Sequence, residues 1–163
     1  LLYAWDRLGE GGGVDAVMSR FSLHYGKKTE EAWDTLWTQV THNLSPGGWF
    51  FVFYIDADSI REIFGSGMRT TLSHHNRMWF QLNEGCTKLM YSYPWLMQKD
   101  DTHLEEPCIT RSDLLHQADK FGLEVLLDSR ADAPPGTAVL DNNSAWCRWL
   151  QCHRAMVLRT PTF

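Results

Sequence analysis

Val14-Asp15-Ala16-Val17-Met18-Ser19-Arg20-Phe21-Ser22-Leu23-His24-Tyr25 and, one helix length later, Leu44-Ser45-Pro46-Gly47-Gly48-Trp49-Phe50-Phe51 decide the fold. Residues 14 to 18 read as a short buried strand that opens into a polar and aromatic mouth. From Thr29 a helix is predicted. Thr29 serves as N-cap, Glu30 and Glu31 occupy the first turn, and Ala32, Trp33, Leu36, Trp37, Val40 and Leu44 recur at helical spacing. Ser45-Pro46-Gly47-Gly48 stops it. Trp49 to Ile55 is aromatic or β-branched without alternation, which predicts a strand covered on both faces. Strand, helix, strand in this order belongs to an open α/β sheet, where ligands bind beyond the carboxyl ends of the strands.

Working outward, Asp56-Ala57-Asp58-Ser59 opens a short helix through Ile60, Ile63 and Phe64. Residues 77 to 82 and 87 to 93 flank Asn83-Glu84-Gly85-Cys86 and predict an inserted hairpin. Thr110-Arg111-Ser112-Asp113 opens a helix with Leu114, Leu115, Ala118 and Phe121 on one face, closed by Gly122. Leu123 to Leu127 reads as a strand, 132 to 143 as a long loop around Pro134-Pro135-Gly136, and Trp149 to Leu158 as the last strand. Upstream, Gly9 to Gly13 is a flexible loop and Leu1 to Leu8 a helix end.

The 163 residues are enough for one core, and 44% hydrophobic with 13% aromatic content argues against disorder. A formal charge of -5 gives no general attraction for nucleic acid, so any RNA contact is expected to be local or supplied by another chain. The four cysteines lack CxxC spacing, which predicts free thiols in a reducing, intracellular compartment, nuclear, or cytoplasmic or virion-borne if viral. Cys147, Cys152 and His153 are explained more simply by a C-terminal strand than by a metal, and no metal is expected. No apolar run approaches the roughly 20 residues of a membrane helix, so no membrane partner is expected.

The order of elements resembles the second half of an S-adenosylmethionine-dependent methyltransferase. Phe21-x-x-His24-Tyr25, with Asp15 and Leu44-Ser45-Pro46-Gly47-Gly48 in register, is similar more specifically to the mRNA cap guanine-N7 methyltransferases. The resemblance covers residues 14 to 158. It implies an α/β fold that is the C-terminal half of a Rossmann-like class I sheet, with an inserted hairpin and an antiparallel last strand. It implies S-adenosylmethionine as cofactor and the capped 5′ end of mRNA as substrate.

Two expected parts of that fold are missing. Gly9 to Gly13 precedes a strand and follows none, so its context is wrong for the glycine turn that approaches the cofactor, and no acidic residue closes a second strand. Residues 1–163 are therefore expected to be the C-terminal portion of a methyltransferase domain. Its first three strands would come from an N-terminal portion or a capping-enzyme partner, because a half sheet would leave an edge and an apolar flank exposed.

The chemistry asks little of the protein. Guanine N7 carries a free lone pair and no proton, so no general base is needed, and no residue is assigned a catalytic role beyond positioning. Guanine itself offers N1–H and N2–H donors that one carboxylate can accept together. By the resemblance, His24 lies at the cap guanine and Tyr25 beside the cofactor. Arg20 stands where the family has Gln near the adenosine. Glu106, in Glu105-Glu106-Pro107, takes the place of the guanine-binding carboxylate of the family's Pro-Glu pair, with Glu105 as substitute. Ser144-Ala145-Trp146 matches the family's Ser-x-Trp, and His153 falls within one residue of a cap-facing Tyr. His74-His75-Asn76-Arg77, with Arg69 nearby, reads first as a solvated loop and second as charge that could meet phosphates of the cap bridge. Arg20 and the reversed Glu-Pro order also admit a non-catalytic methyltransferase-like subunit. The common Leu-x-Pro-Gly-Gly admits another RNA or small-molecule substrate.

Overall fold

The computed structural model describes residues 13–73, 78–92, 103–130 and 144–162. The expected Leu1–Leu8 helix end, the His74–Arg77 cluster and the 132–143 loop lie outside them. In chain order the elements are β1 (Val14–Arg20), a 3-10 turn (Leu23–Gly26), α1 (Glu30–Asn43), β2 (Leu44–Ile55), α2 (Ala57–Phe64), β3 (Thr70–Ser73) and β4 (Met78–Leu82). They continue with β5 (Lys88–Ser92), β6 (Leu104–Pro107), α3 (Arg111–Lys120), β7 (Glu124–Arg130), α4 (Ala145–Leu150) and β8 (His153–Arg159). The chain divides into two compact units. One holds the residues up to Tyr54 with Arg111–Ser129 and everything from Arg154 on; the other holds Ile55–Thr110 and Arg130–His153.

The first unit is built on a mixed sheet ordered β1-β2-β8-β7. β1 and β2 are parallel, with Met18 beside Phe51 and Arg20 beside Phe53. Thr160 N–H donates to Gly48 O and Asp56 N–H to Cys152 O, so β8 runs against β2 and lies antiparallel between β2 and β7. Thr29 caps α1 by accepting from Ala32 N–H at 3.1 Å, as its sequence predicts. Trp33, Leu36, Trp37 and Val40 are buried on that helix, and Trp37 meets Phe50 edge-on at 5.5 Å and stacks with Phe121 at 6.4 Å. Leu114 and Ala118 of α3, with Met156 and Leu158 of β8, complete this face.

Two sequence expectations fail on the opposite face. β1 is not buried; among its residues only Ser19 is, and Met18 is 65% exposed. β2 is not covered on both sides either. Phe50, Val52 and Tyr54 are buried while Trp49 is 41% exposed and stacks on Phe51 at 6.1 Å, a one-sided pattern. On the face that these side chains present Met18 and Trp49 are exposed and Phe51 and Phe53 only partly buried, so continuous hydrophobicity in the sequence coexists with alternating burial. The Ser45-Pro46-Gly47-Gly48 turn ends α1 as expected but counts within β2, where a register shift between Val14 and Ala16 absorbs it.

The second unit carries an antiparallel sheet ordered β3-β4-β5-β6, two strands more than the predicted hairpin. β4 and β5 pair from Trp79–Ser92 to Leu82–Leu89. Asn83 Oδ1 closes their turn by accepting from Thr87 and Lys88 N–H at 2.8 and 2.9 Å. Phe80, Leu82 and Leu89 pack with Ala57 and Ile60 of α2 and with Trp149 and Cys152. β3 and β6 are only four residues each, too short to show a period in the sequence. The expected strand from Trp149 is also corrected. Ser144 caps α4 by accepting from Cys147 N–H at 3.2 Å, so Trp149 and Leu150 are helical and β8 begins at His153.

Candidate functional site

The carboxyl end of β1 makes a sharp exit. Phe21 N–H still pairs with Phe53 O at 2.8 Å, but Phe21 then adopts φ +50°. A non-glycine residue in this left-handed region is uncommon, and the strain of such residues concentrates at functional sites. The turn is held by Ser19 Oγ and Ser22 Oγ at 3.2 Å and by Tyr25 N–H donating to Ser22 O at 3.2 Å. Leu23 anchors it in the core at 3% exposure. Gly26 follows it closely packed on α1, where a Cβ would lie 2.5 Å from Leu36 Cδ2 and would push that side chain aside.

This turn brings His24 and Tyr25 together, ring centroids 4.1 Å apart and inclined at 50°. His24 is half-buried and Tyr25 is 53% exposed. An open groove of about 470 Å³ runs from Tyr25 and Gly26 past Ala32 and Leu36 to Gln39 along α1. Arg20 is exposed as the last residue of β1, its guanidinium 5.9 Å from the Phe21 ring centroid. Arg20, His24 and Tyr25 thus occupy one strand exit within one unit.

Glu106 and His153 belong to the other unit. On β6, Glu105 pairs opposite Met90 and Glu106 opposite the buried Leu89, so the two carboxylates point to opposite faces of the sheet. Glu105 is tied to Lys88, whose hydrogen bond and charge hold its carboxyl below the usual range. Glu106 is half-buried on the other face. His153 Nδ1 lies 3.1 Å from both Trp149 O and Leu150 O, and its ring stands edge-on to Trp149 at 5.7 Å. Burial lowers its pKa although both carbonyls work the other way. Nδ1 donates to those carbonyls, so Nε2 is the acceptor nitrogen of the neutral ring. Ser144, matched to the family's Ser-x-Trp, is the cap of α4.

Asp56 ends β2 at 1% exposure, a position that sequence reasoning treated only as a helix start. Its Oδ2 accepts from Ser59 N–H and from Ser59 Oγ at 2.6 Å, and Ala57 N–H donates to Ile109 O, which ties the segment after β6 to the end of β2. Among the described residues no group of three or more His, Cys, Asp or Glu could hold a metal ion. The four cysteines are free, and burial pushes the Cys152 thiol up to about 12.

The fold as a whole has counterparts among known structures. The chain is similar to the CcbJ methyltransferase of Streptomyces caelestis, with a TM-score of 0.61 at 15% identity over 94% of this chain and 63% of that one. An S-adenosylmethionine-dependent methyltransferase of Clostridium acetobutylicum gives 0.58 at 9% identity, over 95% of this chain and 61% of that one. One of Mesorhizobium loti gives 0.58 at 15%, over 90% and 62%. The fold is a partial class I methyltransferase fold. The chain spans about three fifths of the length of these structures. No protein-family model matches the sequence, and no curated protein sequence matches it.

The left-handed Phe21 is the feature of the site that sequence reasoning missed. Nothing in the residue type announces it, since glycine is the usual signal for such a conformation.

Proposed function

We propose that this chain is the C-terminal, substrate-side portion of an S-adenosylmethionine-dependent methyltransferase that methylates N7 of the mRNA cap guanine. The observation that carries the reading is the β1 exit. A strained Phe21 turn sets the half-buried His24 against the exposed Tyr25 at the carboxyl end of a parallel strand, where this sheet architecture presents ligands. Similarity to S-adenosylmethionine-dependent methyltransferases of the same fold supports the cofactor.

Among the described residues the cofactor fits only in part. Tyr25 and Arg20 would flank it at the β1 exit, while a glycine turn following a strand and an acid closing a second strand are to be supplied by an N-terminal portion or a partner subunit. The uncovered Met18 and Trp49 support such a portion. When bound, S-adenosylmethionine supplies an electrophilic methyl group. The chain's own residues orient the acceptor. Within the first unit, His24 would meet the guanine. Orientation alone can supply roughly 7–11 kcal/mol in the best cases, and no proton must be removed from N7.

A second reading is a non-catalytic methyltransferase-like subunit. It is favoured by the committed Nδ1 of His153, bound back to its own helix. Transfer of labelled methyl by the full-length protein separates the two. Guanosine-capped RNA is expected to be methylated, and His24→Ala or Tyr25→Ala to slow transfer by roughly a hundredfold without lowering the melting temperature. Absence of transfer to capped RNA, or equal transfer to uncapped RNA, overturns the cap reading.

A further inference from the structure

The outer face of the second unit's sheet carries a built cationic and aromatic stack. Arg69 holds its guanidinium carbon 3.8 Å from the Trp79 ring centroid, and the His103 ring lies 5.9 Å from the same indole, inclined at 46°. Phe80 and Leu82 alternate with Trp79 on β4 and face the core, so Trp79 and Gln81 point outward. The stack is not a chance side-chain posture. Gly67 N–H donates to Leu82 O at 2.8 Å and Gln81 Nε2 donates to Gly67 O at 2.9 Å, pinning the turn before Arg69 onto the sheet. Gly67 has φ +78°, and a Cβ there would meet Glu84 Cγ at 3.1 Å.

Among the described residues Arg69 has no carboxylate partner, unlike Lys88 on the same sheet, which is paired with Glu105. Arg69 and His103 are exposed and Trp79 is half-buried. A guanidinium laid on an indole keeps its in-plane N–H donors free for an anion and its outer face free for a planar group. Aromatic faces for bases with a cation for phosphate are the means by which β-sheet surfaces hold single strands without sequence preference. We infer that the Arg69–Trp79–His103 face binds single-stranded RNA, one base on the stack and one phosphate on Arg69. The choice of RNA rests on the capped-RNA reading; the geometry stands apart from it. This local site also fits a chain whose net charge of -5 gives no general attraction for RNA.

The test uses the whole protein without cofactor and a fluorescein-labelled uridine decamer, followed by anisotropy across a salt series. Arg69→Ala is expected to weaken binding roughly tenfold and to flatten the logarithmic salt slope by about 0.7, the loss of one single-strand phosphate contact. Arg69→Lys, which keeps the charge but not the planar stack, is expected to restore the slope but not the affinity. Trp79→Phe, which keeps a ring on β4, is expected to fold and to weaken binding less than Arg69→Ala. Lys28→Ala, in the other unit, is the control and should change little. No binding by the parent protein, Arg69→Ala within twofold of it, or an equal loss with Lys28→Ala overturns the proposal. Binding through Arg69 without cap methylation would remove the cap reading and leave this site standing.

Discussion

At the scale of the residue, alternation along β6 separates two carboxylates that are adjacent in sequence. Glu105 is spent on Lys88 at the surface, and Glu106 faces the other way. Glu106→Gln in the full-length protein is therefore expected to weaken binding of capped guanosine tenfold or more, roughly the 1.5–3 kcal/mol of a charge-assisted hydrogen bond, and Glu105→Gln to leave it unchanged. Calorimetry with an analogue lacking the exocyclic amine checks the assignment, because that analogue should lose less. Asp128 gives a different prediction. Burial alone would raise its carboxyl, but hydrogen bonds and charge from Arg154, at 2.8 Å, and from Arg111 hold it below the usual value. A carboxyl depressed in the folded state stabilises above its unfolded pKa of about 3.9, and this stability fades as pH falls through the folded value. Asp128→Asn should then cost about 1.5–3 kcal/mol at pH 6, and the gap to the parent should narrow below about pH 4. Urea melts that show the same gap at pH 3 would assign its cost to packing instead.

At the scale of the element, α1, α2, α3 and the β4–β5 hairpin were legible because each announces itself locally. Thr29 and Asp56 are caps with their first turns beside them, Gly122 at φ +66° ends α3, and Asn83 closes its own turn. What stayed hidden was set by partners distant in sequence. β3 and β6 exist by pairing with β4 and β5. The turn after β1 that carries His24 and Tyr25 was legible as the end of a strand, but the left-handed Phe21 within it had no signature. Thr160 was equally silent. Its hydroxyl donates to Ser45 O at 2.7 Å and accepts from Gly48 N–H at 2.8 Å, joining the end of β8 to the turn inside β2. Thr160→Val keeps the shape and leaves the Gly48 donor without that acceptor, so a loss of about 1–3 kcal/mol is expected in denaturant melts. A variant as stable as the parent would mean that water replaces the hydroxyl.

At the scale of the whole molecule, the face bearing the exposed Met18 and Trp49 sets what this chain can do alone. Residues 1–163 by themselves are expected to bind the apolar dye ANS and to bind S-adenosylmethionine weakly or not at all, whereas the full-length protein should bind the cofactor without exposing that face. Micromolar cofactor binding by the segment in calorimetry would refute the division of the domain. The position of β8 has a further consequence, for the order of synthesis. Among the described residues β2 and β7 are joined in the sheet only through β8, which follows both of them in the chain. The sheet therefore cannot close until β8 has emerged from the ribosome, while the pairing of β4 with β5, five residues apart, can form as soon as it emerges. Until then the nascent chain carries β2 with one edge open. Cells making this protein face that interval at every round of translation, and a chaperone or slow codons before His153 would act within it.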